Sequence, residues 1–311
     1  KAKAKADAKA KADAAKQAID NATTNDAVTQ AKTDGATSVD SVNPTPVAKP
    51  AAKKAIEDVL KAKNDAIDAN NDLTDEEKTA AKADAKAKAD AAKTAIDNAT
   101  TNAAVEQAKA NGTTEVNNVN PTPEAKPAAK KAVEDALADK IKAIEANNDL
   151  TDEEKTAAKE EAKAKADAAK QAVDKATTNA DVENAKTTGV ADVNSLNPVA
   201  VKKPEAKKAI DAALKAKEAE IDANNDLTAE EKLAAKEEAK KEAEKVKKSI
   251  EEGKTTEWVD EKGNPIKPET PGIYPAGIVS GYELVDTNVD LKTGNVIHVF
   301  KVKGSEKLLV S

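Results

Sequence analysis

Hydrophobic residues in the helix-like part of the chain recur at spacings of three and four, separated by lysine, aspartate and glutamate. In one stretch Val133, Leu137 and Ile144 stand at offsets of 4 and 7, which puts them on one face of an α-helix and does not fit a strand. Pro127 precedes this stripe and suits the first position of a helix. We therefore predict a helix that opens at Pro127 and stops at Asn147, because asparagine favours turns.

This pattern recurs every 77 residues. The motif Asn-Asn-Asp-Leu-Thr begins at Asn70, Asn147 and Asn224, and Ala-Thr-Thr-Asn keeps the same period. A repeat of this length without insertions is typical of tandem supersecondary modules. It predicts a truncated helical repeat with its linker, two whole repeats, and a last repeat that lacks its third helix, at 1–46, 47–123, 124–200 and 201–253.

A second and a third helix are predicted within each whole repeat. Thr151, with Glu154 three residues later, forms a capping box, which indicates a helix start. The segment that follows alternates alanine with charge, nominally a strand period, but alanine and lysine favour helices over strands. In the first whole repeat, residues 100–102 break this helix, and a short third helix is expected to end at Gly112. Gly189 stands at the equivalent position of the next repeat.

Each whole repeat is therefore expected to form a small three-helix bundle, over about Pro50–Gly112 and Pro127–Gly189. Val116 and Val119 would then lie in the connector and pin it to the bundle. The core should be thin, since alanine supplies most of the apolar residues and its methyl group removes little area from water.

The composition changes at Gly253. From there on lie all four aromatic residues, the only histidine and seven of the ten glycines. Strands are predicted at Thr255–Val259, Glu283–Val289 and Val296–Val302, because glycine- and asparagine-containing turns separate these segments. We predict a small β-rich domain at 254–303 with Trp258, Tyr282 and Phe300 as its core, and a tail at 304–311. The predicted fold class is thus mainly α, with tandem three-helix-bundle repeats and a small C-terminal β-rich domain.

The composition excludes several functions. All 50 basic residues are lysine, the net charge is −7, and aromatic residues are almost absent, so nothing is suited to stack on bases or to fork onto guanine. The absence of cysteine removes disulfides, zinc–thiolate sites and thiol catalysis. No segment approaches the apolar length of a membrane span. We expect no nucleic-acid partner, no cofactor and a monomeric chain.

One segment partly matches a calcium-binding loop. Asp68, Asn70, Asp72, Thr74 and Glu76 place oxygen atoms at positions 1, 3, 5, 7 and 9 of that template. The template also needs glycine at position 6 and glutamate at position 12, where Leu73 and Thr79 stand. The next repeat has the same arrangement, at Glu145, Asn147, Asp149, Thr151 and Glu153. We interpret the segment as a turn followed by a helix N-cap, and predict no metal site.

Catalytic residues are not apparent. His298 is the only histidine, and its alternating strand context favours a packed or solvated side chain over a catalytic one. The carboxylates interleave with lysine along helix faces, which is typical of a solvated surface. We therefore predict no enzyme activity, no catalytic and no cofactor-binding residues, and leave any ligand-binding residues unassigned.

The helical region resembles a known class of repeat. The segments that carry the resemblance are Asn-Asp-Leu-Thr-Asp-Glu-Glu-Lys at 148–155, Ala-Lys-Ala-Asp-Ala-Ala-Lys at 164–170 and Ala-Thr-Thr-Asn-Ala-Asp-Val-Glu-Asn-Ala-Lys at 176–186. They are similar to alanine-rich helical repeats of unknown function in giant wall-anchored surface proteins of Gram-positive bacteria. The resemblance implies an extracellular location at the cell surface, with wall anchoring in a longer parent protein. The chain starts at Lys1 within the pattern, so we expect a piece of something longer.

The C-terminal segment resembles a different module. Thr256–Pro265, Pro275–Leu284 and Gly294–Phe300 look like a β-grasp-like adhesin module of the mucin-binding-protein type. That resemblance implies surface display, with host mucin glycans or an extracellular host protein as partner.

Three hypotheses follow for the function. The first is a structural stalk of a cell-surface adhesin, in which the repeats hold a binding region away from the cell wall. The second is a ligand-binding module that recognises mucin glycans or a host serum protein through the β-rich domain or a repeat face. Exposed aromatic residues in that domain would favour the second, and buried ones the first. The third, a desiccation-type disordered chain, is opposed by the regular helix caps and apolar stripes.

Overall fold

The computed structural model describes residues 1–304, and this part of the chain contains ten helices followed by four strands. The predicted tail at 304–311 lies outside the described residues, apart from Gly304. The chain divides into two compact units, Lys1–Pro123 and the part from Glu124 onward. The helices are α1 Ala2–Asn21, α2 Asn25–Asp40, α3 Ala48–Asp68, α4 Asp75–Asn98, α5 Asn102–Asn117, α6 Ala125–Ala146, α7 Asp152–Lys175, α8 Asn179–Asn194, α9 Lys202–Ala223 and α10 Ala229–Glu251.

The two whole repeats are three-helix bundles, which confirms the predicted fold class. In the second of them, α6, α7 and α8 enclose a core in which Val133, Val193 and Ala162 are fully buried. The capping box at the start of α7 is present, with the Thr151 hydroxyl accepting from the Glu154 N–H. Leu196, in the connector after α8, packs against the same core.

The prediction that glycine ends the third helix is wrong. Helix α5 runs through Gly112 and α8 through Gly189, so Val116 belongs to the helix and only Val119 to the connector. A Cβ atom on Gly189 would overlap the Cβ of Ala169 on α7 and meet Val133 at 3.6 Å. Glycine is therefore present because two helix backbones approach closely, and not because the helix must stop.

The last repeat is a two-helix hairpin, α9 and α10. In the whole repeats the third helix lies along alanines of the second helix. Ala168, Ala169 and Ala172 of α7 have their equivalents in Lys245, Val246 and Ser249 of α10. The larger Val246 side chain prevents the close approach that Ala169 allows, so α10 has lost the surface that a third helix needs.

The C-terminal domain is a four-stranded sheet with strand order β2-β1-β4-β3. Strands β1 and β4 are parallel, and the outer pairs are antiparallel. This order is compatible with a β-grasp-like module, although the described segment 272–281 between β2 and β3 is not helical. The strands are β1 Thr255–Asp260, β2 Pro265–Pro271, β3 Tyr282–Val289 and β4 Val296–Val302.

Sequence reasoning missed strand β2. Pro265, Pro268 and Pro271 argue against a strand, since proline cannot donate to a ladder. The structure shows why they are tolerated: β2 is an edge strand, paired only with β1. Prolines on that edge also keep it from pairing with another chain.

The core of the sheet was predicted in part. Trp258 and Phe300 are buried, but Tyr282 is only half-buried, and His298 is buried beside Trp258 instead. The last turn of α10 also belongs to this core. Ile250 packs against Gly272, and the Ser249 hydroxyl accepts from the Ile273 N–H at 2.9 Å.

Replacement of Gly189 by alanine should test the close helix contact. Gly189→Ala gains helix propensity but forces α7 and α8 apart, and we expect a net destabilisation of about 1–3 kcal/mol. Urea unfolding followed by circular dichroism measures it. Thr188→Ala, at the exposed neighbouring position, is the matched control and should be neutral or slightly stabilising. Equal stability of the two variants would contradict the close-contact explanation.

Candidate functional site

The calcium-like loops are turns whose polar groups already have partners. The Asn70 side chain accepts from the Asp72 N–H, and the buried Thr74 hydroxyl accepts from the Glu77 N–H. Lysine side chains meet the oxygens of Asp68: Lys78 donates to the Asp68 carbonyl at 2.9 Å, and Lys82 pairs with the Asp68 carboxylate. Within residues 1–304 no group of three or more acidic or histidine side chains is arranged to hold a metal ion.

His298 is a packed structural residue. Its Nδ1 lies 2.8 Å from the Thr287 hydroxyl, and its Nε2 lies 2.8 Å from the Tyr274 carbonyl oxygen. The carbonyl can only accept, so Nε2 carries the hydrogen and Nδ1 accepts from Thr287. Both ring nitrogens therefore serve to tie the 272–281 segment and β3 to β4.

The most elaborate arrangement of polar groups lies where the second whole repeat meets the last repeat. Here the turn between α6 and α7, the start of α9, the end of α10 and the edge of the sheet enclose a cleft of about 760 Å³. Its lining mixes lysine with glutamate and aspartate. We call the contacts between the α6–α7 turn and the start of α9 the repeat junction.

Lys203 is the centre of the repeat junction. Its side chain is 7 % exposed, and its Nζ donates to the Asn148 carbonyl at 2.6 Å and to the Glu251 carbonyl at 3.4 Å. The first acceptor lies in the α6–α7 turn and the second in the last turn of α10. One ammonium group therefore satisfies carbonyls of two successive repeats, where α10 presents the negative end of its dipole.

The charge of Lys203 is retained in a partly desolvated place. Burial lowers the pKa of its ammonium below the ordinary value, and the positive charge of Lys155 adds to this. Asp149, Asp152 and Glu154 oppose the shift. The negative charges in the turn of one repeat thus partly offset the cost of burying the lysine charge of the next repeat.

Glu154 forms the second half of the repeat junction. One carboxylate oxygen closes the capping box with the Thr151 N–H, and the other accepts from Val201 N–H at 2.9 Å and Lys202 N–H at 3.4 Å. Burial alone would raise the pKa of Glu154, but these N–H donors hold it below its usual value. A residue that caps one helix therefore also binds the backbone that opens the next repeat.

Sequence reasoning did not identify this junction, although a signal was present. A Lys-Pro pair recurs with the repeat period at Lys49, Lys126 and Lys203. Each lysine donates to a carbonyl in the last turn of its own repeat's second helix, at Asp97, Asp174 and Glu251. Because many other lysines also recur with this period, the pairing of lysine with proline at the helix start is the signal, and not the recurrence of lysine alone.

These features define a class: a tandem α-helical repeat protein, in which directed polar contacts join the second whole repeat to the last one. Family comparison agrees, and the chain belongs to the family described as Domain of Unknown Function (DUF1542), which matches residues 1–47, 48–124, 125–201 and 202–266. Residues 254–302 match the SSSPR-51 domain. The predicted mucin-binding character of that segment stays a prediction. No solved structure matches the chain.

Curated relatives of the chain include extracellular matrix-binding proteins of Staphylococcus aureus. The extracellular matrix-binding protein EbhA of strain Mu3 is 31 % identical over 220 residues, which is 70 % of this chain and 3 % of that protein. The extracellular matrix-binding protein ebh of strain MRSA252 is 30 % identical over 243 residues, 78 % of this chain and 2 % of that protein. The chain thus matches only a small part of these relatives. It is a repeat region of the kind found in extracellular, Gram-positive cell-surface proteins related to adhesins. No helix among residues 1–304 has the length and apolarity to cross a membrane.

Removal of the Lys203 ammonium should loosen the repeat junction. Lys203→Met keeps most of the apolar stem but leaves the Asn148 and Glu251 carbonyls without their donor, at a cost of about 1–3 kcal/mol. We expect spin labels on α7 and α9 to show a broader distance distribution by pulsed electron paramagnetic resonance. Lys208→Met, on an exposed part of α9, is the control. An unchanged distribution in Lys203→Met would show that Lys203 does not hold the junction.

The same measurement should respond to pH. Because the pKa of Glu154 is lowered in the folded state, its stabilisation is fully present above its unfolded pKa of about 4.3 and is lost as the pH falls through the lowered value. We therefore expect the distance distribution to broaden below about pH 4. Glu154→Gln should broaden it already at neutral pH, whereas Glu231→Gln, which alters the same capping box in the last repeat, should not.

Proposed function

We propose that the helical repeats act as a spacer that holds a binding region of a longer surface protein away from the cell wall. The observation that carries the proposal is the repeat junction. Lys203 and Glu154 bind backbone groups on both sides of it, so the second whole repeat and the last repeat are joined by directed contacts and not by a free linker. Such a junction transmits a direction along the chain, which a spacer requires.

The burial of Trp258 and Phe300 supports the spacer over glycan recognition through these two rings, whereas Tyr274 and Tyr282 are half-buried. Trp258 and Phe300 are 2 % and 1 % exposed, and the Trp258 indole donates to the Ala276 carbonyl. Sugar rings would need an accessible aromatic face, and these two faces are covered. The repeats themselves expose lysine, aspartate and alanine, which suits a solvated rod and no catalytic role.

The names of the relatives, extracellular matrix-binding proteins, suggest the function of the parent protein. We propose that the parent is anchored in the wall and binds extracellular matrix through another region, while this repeat region sets the distance. Because each whole repeat has its own core, the stabilities of these repeats should add nearly independently. Single repeats would then unfold and refold under tension without loss of the whole spacer.

Small-angle scattering tests the spacer proposal directly. A compact chain of this length would have a radius of gyration of roughly 20 Å. We expect a value well above that, with the scattering mass of one chain and a maximum dimension of several module lengths. Lys203→Met should shift the curve towards a more flexible chain. A radius near the compact value would refute the spacer.

Binding measurements separate the spacer from an adhesive repeat region. Lys1–Gly253, immobilised for surface plasmon resonance at physiological salt, should show no saturable binding of mucin, albumin or immunoglobulin. Its surface carries near-matched charges, so weak polymer attraction should vanish when salt is raised. Saturable binding at physiological salt would show that the repeats are themselves adhesive and would overturn the proposal.

A further inference from the structure

The two edges of the β-rich sheet are protected to different degrees. Strand β2 carries three prolines, which prevent another strand from adding there. Strand β3, at the opposite edge, contains neither proline nor lysine and is exposed over nearly its whole length. Its only evident protections are a bulge at Val285 and acidic side chains. This edge is therefore the place where an additional strand can pair.

The register shows which backbone groups of β3 point outward. The backbone N–H of Asp290 donates to the carbonyl of Asn295, and the backbone N–H of Lys303 donates to the carbonyl of Gly281. These two bonds mark the hydrogen-bonded positions at the two ends of the β3–β4 ladder. Antiparallel pairing alternates bonded and non-bonded positions. The N–H and C=O groups of Leu284, Thr287 and Val289 therefore face away from β4. Of these, the Thr287 N–H is held by the Asp286 carboxylate.

The side chains along this edge separate into an apolar and an acidic face. Leu284 stands opposite the buried Phe300 and Val289 opposite Val296, so both lie on the core face, yet they are 46 % and 56 % exposed. The segment 272–281 covers the same face, and its Ile278 is 98 % exposed. An incoming strand would place every second side chain against these aliphatic groups.

The other face of β3 is acidic. Glu283 and Asp286 lie there, and Asp290 follows the strand, without a basic residue between Gly281 and Leu291. Lys301 of β4 stands opposite Glu283, whereas Asp286 stands opposite Val299. The alternate side chains of an incoming strand would meet this negative charge. Two β3 strands of separate copies would bring the same acidic residues together, which disfavours self-pairing.

We propose that the free edge of β3 docks an extended segment of another protein in which aliphatic or β-branched residues alternate with lysine or arginine. The outward N–H and C=O groups of Leu284, Thr287 and Val289 form the ladder, and the Asp286 carboxylate exchanges the Thr287 N–H for the basic side chain of the partner. This is strand addition at an open sheet edge. It goes beyond the spacer proposal, since it concerns the β-rich domain alone and stands whether or not the repeats are rigid.

A labelled peptide tests this docking on the full chain. The probe is the end-blocked sequence Thr-Val-Lys-Val-Lys-Val-Thr, and the control peptide has glutamate in place of lysine. Fluorescence anisotropy at low salt should show saturable binding of the lysine peptide, weakening as salt is added, and none of the glutamate peptide. Equal binding of the two peptides, or no saturable binding of the lysine peptide, would overturn the proposal.

Variants locate the binding edge. Val289→Pro removes an outward N–H without removing a bond to β4, and should weaken binding at least roughly tenfold. Asp286→Asn keeps the acceptor for Thr287 but removes the charge, and should weaken binding about threefold. Glu269→Gln removes one charge at the β2 edge and is the matched control, with no change expected. Unaltered binding by Val289→Pro would overturn the proposal.

Two further measurements cover loss of folding and alternative occupants. If Val289→Pro loses the native fluorescence of Trp258, hydrogen exchange on the unmodified chain replaces that variant as the test. The bound peptide should slow the exchange of the Leu284 and Val289 amides and not that of the β2 amides. Slower exchange at β2 alone would show that the peptide binds the β2 edge, and would overturn the proposal. Sedimentation of the free chain should show no concentration-dependent dimer, and a dimer abolished by Val289→Pro would make a second copy the occupant and overturn the proposal.

Discussion

Every helical repeat except the last depends on a close approach of its second and third helices, which only alanine and glycine allow. At Gly35, Gly112 and Gly189 an added Cβ would overlap the Cβ of an alanine on the facing helix. This alanine–glycine contact buries little area per residue, so its stability comes from the short interhelical distance and many dispersion contacts. The helices must therefore be regular, well capped and uninterrupted, and the capping boxes at Thr74, Thr151 and Thr228 meet that need.

The small apolar area of the helices also explains the repeat junction. With so little apolar surface available, the second whole repeat and the last repeat are joined through the polar ends of their helices, where N–H and C=O groups lack partners within the helix. Lys203 satisfies carbonyls and Glu154 satisfies N–H groups. The junction thus converts unavoidable unsatisfied groups into a connection between modules. Its strength is electrostatic and directional, while the strength of each bundle comes from packing.

The sequence was informative wherever a local pattern decided the structure. Helix type, capping boxes and the two-helix last repeat follow from period, propensity and caps, which act over a few residues. Gly112 was misjudged because a glycine after an apolar stripe resembles a helix end, and only the position of Ala92 on another helix shows its real role. Strand β2 was missed for a related reason. Its prolines exclude a central strand, but whether a strand lies at an edge is a property of the assembled sheet.

The repeat junction could not be read from one repeat, since its partners are 47 to 55 residues apart. The recurrence of lysine before proline indicated a specific role but not the acceptor. The prediction of Tyr282 as a core residue failed for a similar reason. An aromatic residue in a short domain is expected in the core, but its position in the sheet is not visible in the sequence. Tyr282 stands opposite Val302 near the end of the β3–β4 ladder, where the sheet has little to cover it.

The end of α10 shows how the chain passes from one module type to the other. Val246 and Ser249 replace alanines of earlier repeats, whereas Ile250 stands where those repeats have Ile96 and Val173. Ser249 and Ile250 contact the 272–273 backbone instead of a third helix. The β-rich domain therefore has no core boundary at Gly253: a turn of helix belongs to both modules. Tension along α10 would be transmitted to the sheet through this shared turn, and it would act first on the segment 272–281. The hydrogen bonds of Trp258 and His298 to that segment hold it on the sheet, which links the packing of the two buried rings to the integrity of the α10–sheet connection.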